Sequence, residues 1–97
     1  MPVCMIFTPP KDLFTKDTYE KVLAHLGDNF PPPAMSSHVM GTTDEGEVRI
    51  VDVFETAESF REFAETHGPV YEKLGISLDE ILRHASVFEI DKRIVIK

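Results

Sequence analysis

The chain has 97 residues, enough for one domain with one core, and its apolar share of 42% and charged share of 28% are those of a soluble globular protein. A formal charge of −7 excludes nonspecific binding to nucleic acid or anionic membrane, since both require basic patches. The single cysteine, Cys4, excludes an intrachain disulfide and fits a reducing, cytoplasmic setting. No run approaches the ~18–20 apolar residues of a membrane span, and the opening MPVCMIFTPP lacks the length and basic flank of a signal peptide.

Val3 to Phe7 is a continuous apolar run stopped by Pro9-Pro10, which reads as a strand buried on both faces. Thr15 offers an N-cap to a helix with Asp17 in its first turn, where the dipole favours negative charge. Tyr19, Val22, Leu23 and Leu26 repeat at helical spacing, and Gly27 is placed to end the helix. Pro31-Pro32-Pro33 is a stiff loop leading into a strand.

Met35 to Thr42 and Glu47 to Glu55 form a hairpin around Asp44-Glu45-Gly46. Thr56 caps a second helix with Phe60, Phe63, Ala64, His67, Val70 or Tyr71, and Leu74 as its inner stripe. Gly68-Pro69 predicts a kink or break midway, because proline removes a donor and crowds the preceding turn. After Gly75, Ser77-Leu78-Asp79-Glu80 matches a capping box and starts one more helical turn. Ala85 to Ile90 is the fourth strand, and Arg93 to Lys97 a terminal strand or arm.

Two strand-helix-strand units around a hairpin predict one α+β domain over residues 1–97. Its ferredoxin-like βαββαβ sheet is antiparallel, with the first and third strands central. On the third strand Val48, Ile50 and Phe54 face one way and Val51 and Val53 the other; Val39 and Met40 divide likewise. Two helices cover one sheet face only, so the apolar second face predicts a homodimer with sheets packed face to face. The arm 92–97, with alternating Ile94 and Ile96, either adds to a partner's sheet edge or covers its own.

Register places one polar pair. A three-residue turn with Gly46 in the left-handed position sets Thr43 opposite Glu47, and hence His38 opposite Asp52 with Cβ atoms roughly 5 Å apart. Ser36–Phe54 and Met40–Ile50 would be the flanking pairs on that face. A two-residue turn would instead put His38 and Asp52 on opposite faces. A histidine oriented by a carboxylate in an apolar cleft is a candidate general base, with His38 and Asp52 as catalytic residues. A core histidine with a satisfied hydrogen bond is the plainer alternative. Tyr19 and His67 can reach the same cleft from the two helices. No metal site is expected, because His25, His38, His67 and His84 show no ligand spacing. Cys4 reads as a buried structural thiol.

The segment Pro31-Pro32-Pro33, His38-Val39-Met40-Gly41, Asp44-Glu45-Gly46, Val51-Asp52-Val53-Phe54-Glu55 and Ala57-Glu58-Ser59-Phe60 resembles the dimeric α+β barrel superfamily. That superfamily includes antibiotic-biosynthesis-type and haem-degrading monooxygenases, and the similarity is strongest to an uncharacterised bacterial group within it. The resemblance implies a cofactor-independent, monooxygenase-like enzyme acting on a small apolar or aromatic molecule. The alternative is a non-catalytic module for binding a small ligand or for dimerisation. The implied pocket between helices and sheet would be lined by Phe7, Tyr19, Met40, Phe54, Phe63 and His67 around His38. Two departures stand out: members often carry tryptophan where Phe54 stands, and their chains tend to stop soon after the fourth strand. The residue set that supports haem degradation does not trace onto this chain, so no cofactor is carried over.

Overall fold

A computed structural model describes residues 1–96. In chain order the elements are β1 (Val3–Phe7), α1 (Lys16–Leu26), β2 (Met35–Thr42), β3 (Val48–Phe54), α2 (Ala57–Lys73), α3 (Leu78–Arg83) and β4 (Ala85–Glu89), with a short 3-10 turn at Gly27–Asn29. The four strands form one antiparallel sheet in the order β2-β3-β1-β4. This is the ferredoxin-like arrangement, with β1 and β3 central.

Local chemistry sets the helix ends. Thr15 and Thr18 exchange side-chain and backbone hydrogen bonds in a full capping box at the start of α1. Thr56 accepts from the Ser59 amide at the start of α2, and Ser77 from the Glu80 amide at the start of α3. Gly75, at φ 78°, closes α2: its amide reaches the Glu72 carbonyl while the Ile76 amide reaches the Tyr71 carbonyl.

Of the kink or break expected at Gly68-Pro69, the break does not occur: α2 runs from Ala57 to Lys73 with Pro69 inside it. Gly68 explains part of this, because a residue without Cβ removes the clash between the proline ring and its predecessor. Gly68 also faces α3, where an added Cβ would sit 3.3 Å from Leu78. The terminal strand is also not formed: residues 92–96 are irregular, and Ile94, Val95 and Ile96 are exposed. Arg93 instead ties the segment back to the start of the sheet, with Nη2 3.0 Å from Glu55 Oε2 and 3.2 Å from Ser36 Oγ. Lys97 lies outside the described residues.

The hairpin register is the one set by a three-residue turn. The Thr43 amide donates to the Glu47 carbonyl, and Gly46 has φ 85°. His38 therefore pairs with Asp52 and Met40 with Ile50. The expected Ser36–Phe54 pair is displaced, because a bulge between Met35 and Ser37 leaves Met35 opposite Phe54. Along β3, Val48, Ile50, Asp52 and Phe54 are buried beneath the helices, and Arg49, Val51 and Val53 turn to the other face. The core gathers Phe7, Phe14, Val22, Leu26, Val48 and Ile50 between sheet and helices. On the uncovered face Val39 is 59% exposed, Val51 36% and Phe88 47%.

Candidate functional site

Asp52, Ser59 and His67 are the buried polar residues among those described. Ser59 is accounted for locally, since its hydroxyl donates to the Thr56 carbonyl in the first turn of α2. Asp52 and His67 instead line one cavity between the sheet, α1, α2 and α3.

Asp52 is 1% exposed, and a carboxylate buried so completely is costly unless hydrogen-bonded. Its partner is the residue opposite it on β2: the Nδ1–H of His38 donates to Asp52 Oδ1 at 2.5 Å. That bond fixes the tautomer of the neutral ring, leaving the Nε2 lone pair to accept from the Tyr19 hydroxyl at 2.8 Å. Tyr19 reaches it from α1, and the two rings lie within 7° of parallel. Phe30 meets the imidazole edge-on at 5.0 Å. The result is a chain of hydrogen bonds, Tyr19 to His38 to Asp52, running from the cavity wall into the sheet. Burial and the negative charges of Glu20 and Asp52 push the Tyr19 hydroxyl up, so it remains a phenol at neutral pH.

His67 lies on α2, where the Phe63 ring packs against it at a tilt of 40° with centroids 3.6 Å apart. Its Nδ1–H donates to the Phe63 carbonyl at 3.0 Å. Burial lowers its pKa from 6.5 to about 4, opposed by that hydrogen bond and assisted by His38. Tyr71, beside it, is pushed up to about 12 by burial and then by the Asp52 charge. The cavity therefore holds two neutral phenols, one neutral imidazole and one hydrogen-bonded His-Asp pair, with apolar side chains over the rest of its wall.

The cavity volume is about 60 Å³. A water needs roughly 10–15 Å³ on this measure and a benzene-sized guest roughly 150 Å³, so the space holds a few heavy atoms. A multi-ring aromatic substrate does not fit this conformation. Phe7, Tyr19, His38, Asp52, Phe63 and His67 line the cavity, as the sequence reading places them. Met40 and Phe54 do not. Met40 lies further toward the hairpin turn and packs on the core. Phe54 is fully buried beneath Phe60 and Phe63, with centroids at 5.5 and 5.1 Å. The reading from sequence lacked Phe30 and Tyr71 as wall residues, and it lacked the Tyr19–His38 bond. The helical spacing of Tyr71 offered a signal; Phe30, beside the proline loop, offered none.

The other chemistry-bearing residues stand apart. His25 is exposed with Nδ1 donating to the Lys21 carbonyl, and the His84 carbonyl accepts from the Thr8 amide. Cys4 is buried on β1, and burial followed by the Asp52 charge pushes its thiol up. Among the described residues no three His, Cys, Asp or Glu side chains converge as metal ligands, and no helix is long and apolar enough to cross a membrane.

No family model matches the chain, and no curated protein matches it in sequence. Its structure is similar to that of Rv0793 from Mycobacterium tuberculosis, with a TM-score of 0.63 and 17% identity over 96% of this chain and 98% of that one. At that identity the likeness is one of fold, and it supports the ferredoxin-like α+β architecture.

Proposed function

We propose that this protein is a small-molecule enzyme of the cofactor-independent, monooxygenase-like kind, working by proton abstraction. The observation that carries the reading is the fully buried Asp52 hydrogen-bonded to His38, with Tyr19 on the other imidazole nitrogen at the wall of a cavity. Tyr19 is the group that meets the ligand. As its oxygen takes a proton from the ligand's carbon, its own proton passes to Nε2 of His38 in the same step, so a free phenolate never accumulates. Asp52 holds the imidazole in register and compensates its developing charge. The resulting carbanion gives its electrons to dioxygen and takes up a proton to form a hydroperoxide. Loss of water then leaves a carbonyl, with one oxygen atom in the product and one in water.

The working unit in this reading is a homodimer, with Val39, Val51 and Phe88 of the uncovered sheet face packed against the same face of a second copy. The exposed Ile94–Ile96 segment is available for exchange between copies. A second reading is a binding module without turnover. The small cavity favours it, because about 60 Å³ admits only a compact ligand.

Deuterium uptake separates the two. The protein is incubated in deuterium oxide with compact neutral carbon acids, beginning with acetone and propanal. The enzyme reading expects uptake at the acidic carbon that falls about 100-fold or more in His38→Ala and in Tyr19→Phe. Uptake unchanged in His38→Ala removes the base. Uptake lost in His38→Ala but kept in Tyr19→Phe makes His38 the direct base and removes the relay. Absence of uptake across the series favours the binding module.

A further inference from the structure

Of the polar hydrogens on the cavity's side chains, all but one are committed. The Nδ1–H of His38 goes to Asp52, the Tyr19 hydroxyl to His38, and the Nδ1–H of His67 to the Phe63 carbonyl. The remaining polar side chain of the wall is Tyr71, on α2 one turn beyond His67. Its ring sits edge-on to Phe14 at 6.5 Å, and its hydroxyl has no hydrogen-bond partner among the described residues. That hydroxyl is not sealed into packing, since no fully enclosed side-chain nitrogen or oxygen lacks a partner. It is nevertheless deeply buried, and it senses the charge of Asp52 on the sheet side of the same cavity. A second, more polar space lies between α2 and the proline loop, and its wall includes His67 but not Tyr71. The Tyr71 hydroxyl therefore opens on the cavity it shares with Tyr19 and Asp52.

A buried donor without an acceptor is costly, so an acceptor entering the cavity satisfies it. Burial keeps Tyr71 a phenol up to about pH 12, so it donates throughout the neutral range. The wall carries no lysine or arginine, which leaves this hydroxyl as the free side-chain donor for a ligand's oxygen.

We infer that the ligand is a compact aldehyde or ketone whose carbonyl oxygen accepts from the Tyr71 hydroxyl while its α-carbon meets Tyr19. This rests on proton abstraction at Tyr19; it names the class of carbon acid and adds Tyr71 as a catalytic residue. As the C–H bond breaks, its electron pair forms the C=C bond of an enolate, and the π pair of the carbonyl moves onto oxygen. The proton goes to the Tyr19 oxygen while Tyr19 gives its own to His38. Tyr71 keeps its proton and holds the oxyanion. A hydrogen bond to the enolate oxygen is stronger than one to the ketone oxygen, so Tyr71 acts mainly on the transition state.

The test follows the carbonyl of acetone labelled with ¹³C at C2, titrated by nuclear magnetic resonance and extrapolated to saturation. A hydrogen-bonded carbonyl resonates downfield of one in an apolar medium. In the wild type the bound resonance should lie at or downfield of its position in water. In Tyr71→Phe, which keeps the ring and its packing, it should move upfield toward its position in an apolar solvent. For deuterium uptake the same variant should lose about 100-fold in kcat with KM changed by no more than about threefold. An upfield resonance in the wild type, or no saturable shift, overturns the inference. So does a resonance that ignores Tyr71→Phe, or one that moves upfield only in Tyr19→Phe, which would make Tyr19 the donor. Uptake within about threefold of wild type in Tyr71→Phe removes Tyr71 from the chemistry. A downfield carbonyl that needs Tyr71, with uptake unchanged in His38→Ala, would sink the base alone. Uptake that depends on His38, with a carbonyl indifferent to Tyr71→Phe, would sink the Tyr71 assignment alone.

Discussion

Acidification from pH 7 to pH 5 should cost the folded state about 2 kcal/mol through His67. Its pKa is 6.5 in an ordinary environment and about 4 in the fold. A histidine lowered in this way contributes stability that is fully present above 6.5 and lost as pH falls toward 4, because the unfolded chain binds the proton first. At pH 5 the unfolded chain carries nearly a whole proton at this site and the native state about a tenth of one. The ratio of the two binding polynomials is then about 30, which is about 2 kcal/mol, and complete protonation at lower pH would bring the loss to about 3 kcal/mol. The Glu55 carboxyl, held low by Ser36 and then Arg93, gives up its contribution only as pH drops below about 4.5, so a measurement at pH 5 avoids most of it. Urea unfolding of the wild type and His67→Gln at both pH values isolates the effect, since glutamine does not titrate. The variant should lose about 2 kcal/mol less than the wild type between pH 7 and pH 5. Parallel losses in the two proteins would refute the buried neutral imidazole.

His38→Ala leaves a 1%-exposed carboxylate without its donor, and urea unfolding should show a loss of about 3–5 kcal/mol; under 1 kcal/mol would mean Asp52 does not depend on His38. Gly46→Ala forces a side chain into φ 85° and should cost about 1–2 kcal/mol in a thermal melt, with a neutral result contradicting the turn that sets the hairpin register. Val51→Asp charges the uncovered sheet face, so native mass spectrometry should give two chains for the wild type and one for the variant. A wild type that is monomeric at micromolar concentration contradicts the packed-sheet dimer.

The element order is legible in the sequence because the caps, glycines and apolar periods agree with one another. The His38–Asp52 pairing is legible for a narrower reason: strands alternate with period 2, so a single turn length decides which residues share a face, and Gly46 marks that length. The same arithmetic fails at Ser36, because a bulge consumes one residue and no side chain there announces it. The rule that proline breaks a helix gives way at Pro69, where Gly68 relieves the clash and α3 packs close. Met40 and Phe54 share the helix-facing side with His38, yet facing the helices does not amount to lining a cavity. That distinction depends on how Phe60 and Phe63 close over Phe54, which is a matter of packing and not of pattern. The Tyr19–His38 bond joins α1 to β2, and sequence carries no ruler for that distance.

The ¹⁵N resonances of His38 test the central claim most directly, because a base oriented by Asp52 must carry its proton on Nδ1 and keep a lone pair on Nε2. At pH 7 the account predicts that tautomer, with Nε2 showing the signature of an accepted hydrogen bond that disappears in Tyr19→Phe. A His38 protonated at Nε2 while Nδ1 is bare, or one whose resonances ignore both Tyr19→Phe and Asp52→Asn, would contradict it.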